Sequence, residues 1–143
     1  MNPVRSLIAV LGGILLVSVV VELLEFTLVN ARAGGGITDM AGYFAVLNQP
    51  VMLGARPVYN TLAALLGGYL TARIAGHREI LHGMAAAGLK TGALIWGFTA
   101  GEYAALTPVW MRVALVLLTG PAMIAGASIR AMAARGTIQP HTS

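Results

Sequence analysis

The segment from Leu7 to Val21 reads LIAVLGGILLVSVVV, an apolar run without a single charge, and apolar character continues to Val29. Nothing else constrains the chain as tightly. Crossing a hydrocarbon layer about 30 Å thick takes roughly 20 apolar helical residues, and residues 7–29 meet that length. Composition agrees: 57% of the 143 residues are hydrophobic and 10% are charged, with a mean hydropathy of +0.80. An average soluble domain holds about 45–50% apolar and about 25% charged residues, so a free soluble monomer is not expected. The lack of Cys removes disulfides, thiolate metal sites and cysteine nucleophiles. The length suits one domain.

Three further candidate spans follow at residues 58–74, 80–98 and 109–129. Backbone groups in lipid need internal partners, and the alternation of a β-barrel is missing, so these read as helices. The expected fold is all-α: an integral membrane four-helix bundle forming a single transmembrane domain over residues 1–143. A cleaved signal peptide is the alternative for the first span, with Arg5 before it and Ala31-Arg32-Ala33 after it. The run is too long for that, and it contains Glu22 and Glu25, so it stays a span.

The net charge of +4 raises nucleic acid as a partner, but the arginines are scattered between apolar runs and make no patch. They read instead as topology signals. Placing the first and third loops outside gives the cytoplasm Arg5, Arg73, Arg78, Arg130 and Arg135, and leaves Arg32 and Arg56 opposite. Both termini are then cytoplasmic. Residues 75–79 form a tight hairpin, which makes the second and third spans antiparallel neighbours. The longer first loop contains Ala33-Gly34-Gly35-Gly36, then Thr38 as a candidate cap for a short helix. Met40, Tyr43, Phe44 and Leu47 fall on one face of that segment, about 38–47, predicting a short extracytoplasmic amphipathic helix. It either plugs the top of the bundle or serves docking and gating.

Helices in a bilayer associate through small residues. Gly67 and Gly68 in the second span and Gly88 and Gly92 in the third supply such faces, and Gly120-Pro121 predicts a kink in the fourth. Inverted repeats are not visible, which leaves a single-chain inverted-repeat transporter without support.

Ionisable residues inside a span are costly and are read by default as a functional-site hypothesis. Lys90 lies near the midplane of its span. Glu22 and Glu25 share a face of the first span with Ser18, and Arg112 stands in the first turn of the fourth. Helical side chains lean toward their own N-terminus. Glu22 therefore leans toward Lys90, whereas Arg112 leans out to water. The expectation is a Glu22–Lys90 pair, with Glu25 facing Arg112 or Arg56. Helix-registering glue, a proton or solute path, and contact with another subunit are the three uses of such a cluster. His82, near the cytoplasmic end of the third span, has small neighbours and is a candidate ligand for a tetrapyrrole metal; an ordinary interfacial histidine is the competing reading. No HExxH, nucleophile elbow, P-loop or dinucleotide fingerprint occurs, and no Ser or Asp constellation with His can be assembled, so neither catalysis nor a cofactor is expected.

The stretch from Tyr59 to Gly83 reads YNTLAALLGGYLTARIAGHREILHG. It resembles the second-to-third-helix hairpin of small four-helix bacterial inner-membrane proteins of unassigned function, which share a GGYxxARIAGxRxxLHG pattern. That resemblance covers roughly a sixth of the chain and implies a bacterial inner-membrane location and a four-helix fold. It carries no activity. Taken together, the sequence predicts a non-enzymatic structural or accessory subunit of a membrane complex, or a homo-oligomer. Its partners are the lipid bilayer and other membrane subunits or itself. A small ion, proton or solute transporter using the Glu/Lys site is the alternative, and a pigment- or haem-binding subunit the third.

Overall fold

The computed structural model describes residues 3–37 and 39–136, and among these it is all-α. Four long helices, α1 (Pro3–Ala33), α3 (Pro50–Ala75), α4 (Glu79–Ala100) and α5 (Val109–Gly136), pack side by side, with the short α2 (Met40–Leu47) between α1 and α3. α3 lies against both α1 and α5, and α4 against α5. α1 and α5 are each long and apolar enough to cross a membrane, with mean hydropathies of 2.8 and 1.6 in their most apolar stretches.

Local chemistry explains the boundaries. Asp39 caps α2, its carboxylate accepting from Gly42 N–H at 2.6 Å; Thr38, the cap expected from the sequence, lies outside the described residues. α3 begins well before Val58, because extended Gln49 is followed by Pro50 with its pre-set φ. Pro57 sits inside α3 and forfeits one backbone hydrogen bond. α3 ends where Gly76 takes φ 67° and returns its N–H to Ala72 O at 3.0 Å. α5 runs on through Pro121 as one helix.

Two contacts fix the sense of the assembly. Arg5 Nε donates to Ile74 O at 2.7 Å, and Arg130 lies 3.8 Å from Glu79. The start of α1, end of α3, start of α4 and end of α5 therefore share one end. At the other end, Leu47 of α2 is fully buried with Val29 and Met52, and Asn48 Nδ2 donates to Leu106 O at 2.8 Å. Phe44 stacks on Tyr103, ring centroids 6.3 Å apart. α2 is thus fastened against the ends of α1 and α3 and to the α4–α5 connection.

Between the long helices most of the core cluster is alanine. Ala63, Ala64, Ala72, Ala86 and Ala127 are buried, while Leu15, Leu23, Phe26, Leu66, Trp96 and Leu117 are exposed. Backbone approach explains this. A Cβ on Gly68 would strike the Met123 backbone, and one on Gly126 would strike Leu65 O; Gly13 and Gly67 face each other across α1 and α3. Gly88 and Gly92 differ, for a Cβ on either would meet open space.

Candidate functional site

Above this small-residue contact zone, toward the α2 end, the helices separate around a cavity of about 210 Å³. Its polar wall comes from all four long helices: Ser18, Glu22 and Glu25 of α1, Arg56 and Asn60 of α3, Lys90 of α4 and Thr119 of α5. The spacing explains the convergence on α1, where Ser18, Glu22 and Glu25 are four and three apart and so share a face.

The strongest contact is between Glu25 and Arg56. Nε donates to Oε1 at 2.9 Å and Nη2 to Oε2 at 3.4 Å, a two-pronged pair whose side chains are only 11% and 9% exposed. Tyr59, one turn after Arg56, donates its hydroxyl to the same Oε1 at 2.9 Å. Arg56 Nη1 is buried with no acceptor. A carboxylate so enclosed needs every one of these donors, because an unpaired buried charge is costly.

Lys90 takes a different partner from the expected one. Its Nζ donates to Ser18 Oγ at 2.8 Å, and no Glu22–Lys90 ion pair within 4 Å occurs among the described residues. Glu22 is exposed, and it lines both this cavity and a larger apolar groove of about 750 Å³ between α1 and α2. The one-turn offset accounts for the difference: Ser18 lies a turn below Glu22, where the Lys90 stem delivers its ammonium. Of the two partners open to Glu25, the geometry takes Arg56. Arg112 instead donates to Thr107 O at 2.8 Å and Phe98 O at 3.3 Å, bridging the end of α4 to the start of α5.

His82 is buried near the opposite end. Its Nδ1 lies 3.1 Å from Arg78 O, and its ring meets that of His77 edge-on at 5.0 Å. The four glycines singled out from sequence divide in two: Gly67 and Gly68 are spent on contacts inside the assembly, and Gly88 and Gly92 face outward. Tyr59 and Asn60 were not among the expected site residues. Their signal was present, since starting the helix at Pro50 puts Arg56, Tyr59 and Asn60 on neighbouring turns of one face.

Outside the contact zone, burial raises the Tyr43 phenol above its ordinary value of 10.0, assisted by the Glu25 charge. Compared with family models, curated proteins and solved structures, the chain shows no significant match, so geometry and sequence carry the functional reading.

Proposed function

We propose that this chain is a multi-pass membrane protein of the bacterial inner membrane, with four spans and both termini cytoplasmic. It acts without catalysis as a structural or accessory subunit, associating with itself or with other membrane subunits. The membrane part draws support from the inverted packing. Only 22% of the most apolar stretch of α1 is buried within the protein, and the exposed Leu, Val, Phe and Trp side chains need a second apolar environment, which lipid provides. The end shared by Arg5, Arg73, Arg78, Arg130 and Arg135 suits the cytoplasmic leaflet.

One observation carries the subunit reading: the Gly88-xxx-Gly92 face of α4 meets no neighbour among the described residues, whereas Gly67, Gly68 and Gly126 are packed against neighbouring helices. Without a hydrophobic drive between helices in lipid, such a face is where two backbones approach. A partner helix seated there also covers the exposed Leu89, Ile95 and Trp96 flanking it. The test is energy transfer between labelled chains in lipid vesicles. Gly88→Leu and Gly92→Leu are expected to abolish transfer or displace a co-purifying subunit, while Gly54→Leu, also in open space, leaves it unchanged. Retained association in both α4 variants overturns the reading.

A second reading, a small-solute or ion path, is favoured by the charged cavity itself, and proteoliposome flux lost in Glu22→Gln is its requirement.

A further inference from the structure

Two opposite charges face the same cavity without meeting. Glu25 is already committed to Arg56 and Tyr59. Left over are Arg56 Nη1, buried without an acceptor, and Lys90 Nζ, whose one hydrogen bond goes to Ser18. Across from them stands the Glu22 carboxylate, which makes no hydrogen bond among the described residues. Lysine has three donors and a flexible stem, and a pair serving only to hold helices together gains most from direct contact. Here an open space lies between the two groups instead.

The space is approached from two sides, and through the exposed Glu22 it adjoins the groove between α1 and α2. A neighbouring cavity of about 280 Å³ shares Arg56, Leu94 and Phe98 as a wall and reaches Gly101 and Glu102 of the α4–α5 connection. Toward the other end, the contacts of Gly13 with Gly67, Gly68 with Met123 and Gly126 with Leu65 close the assembly. The arrangement is a pocket open toward the α2 end and closed on the side of the glycine contacts, which is the form of a binding site.

We propose that the cavity binds a small zwitterion of amino-acid size, its carboxylate accepting from Lys90 Nζ and its ammonium donating to Glu22. Charge balance selects this class. The two cations and two carboxylates of the wall sum to zero, so a zwitterion leaves the balance intact, whereas a lone anion or cation adds an uncompensated charge in low dielectric. Size agrees: 210 Å³ is the share of about seven waters at about 30 Å³ each, room for an amino acid with a short side chain.

The test is calorimetric titration of the full chain in lipid nanodiscs with glycine and β-alanine, and with acetate and methylammonium as their halves. The amino acids bind saturably, and each half binds at least tenfold more weakly. Lys90→Met and Glu22→Gln each weaken the amino acids at least tenfold, while the outward-facing Leu117→Ala leaves binding unchanged. Glu22 is exposed, so Glu22→Gln keeps the test open even where Lys90→Met fails to fold. Acetate binding as tightly as glycine, or a folded chain that binds no probe, overturns the proposal. The site takes membrane insertion as given and does not depend on self-association: a chain that inserts into vesicles but binds nothing refutes the site alone.

Discussion

Replacing Arg56 by Met tests whether the Glu25–Arg56 pair holds the upper half of the helices together. The substitution keeps an apolar stem of similar length and strips two donors from a carboxylate on a residue that is 8% exposed. Breaking a buried pair from one side costs about 3–5 kcal/mol. Tyr59 still donates to Glu25 Oε1 in the variant, which puts the expected loss near the lower limit, about 3 kcal/mol. Removing the whole group is a different experiment. Glu25→Met with Arg56→Met orphans the Tyr59 hydroxyl, at about 1–3 kcal/mol, so Tyr59→Phe is added. The triple variant is expected within about 1 kcal/mol of the parent, because well-packed apolar residues replace buried pairs at little cost. The assay is equilibrium unfolding in mixed detergent micelles followed by helical circular dichroism. An Arg56→Met chain as stable as the parent, or a triple variant less stable than the single, refutes the reasoning.

The glycines give a paired comparison by the same assay. Gly68→Ala drives a Cβ into the Met123 backbone and is expected to lose about 1–3 kcal/mol through overpacking, whereas Gly88→Ala meets nothing and gains up to about 1 kcal/mol of helix propensity. Tyr43 supplies a pH dependence. Its raised folded pKa means that its contribution is fully present below the unfolded phenol value of 10.0 and is lost as pH rises through the folded value. Stability should therefore fall at alkaline pH more steeply in the parent than in Tyr43→Phe, and parallel curves for the two contradict the assignment.

Periodicity and length made the four long helices legible, since each carries an apolar run bounded by Gly, Pro or charge. The start of α3 was less visible. Pro57 looks like a stop, and only the extended Gln49 before Pro50 shows that the helix has already begun. That shift matters for the site, because it moves Arg56 from a loop into the helix that faces Glu25. The charges within the long helices could be picked out singly, for a charge in an apolar run is conspicuous. Their pairing could not, because it depends on helix rotation to within a turn: Ser18 and Glu22 are one turn apart, and Lys90 meets the former. The small residues likewise advertised close packing without saying which faces were internal. Gly67 and Gly92 look equivalent in sequence, and only what packs against each distinguishes a used face from a free one.

The central claim is that an inside-out helical assembly sits in a bilayer with its two ends on opposite sides. The chain has no native Cys, so single cysteines report position without background. Ala105→Cys in the α4–α5 connection, Arg135→Cys at the end of α5 and Leu117→Cys on the outer face of α5 are all exposed positions. A membrane-impermeant maleimide is expected to label Ala105→Cys in right-side-out vesicles, Arg135→Cys only in inverted ones, and Leu117→Cys in neither. Labelling of the first two from the same side, or of Leu117→Cys from water, contradicts the account.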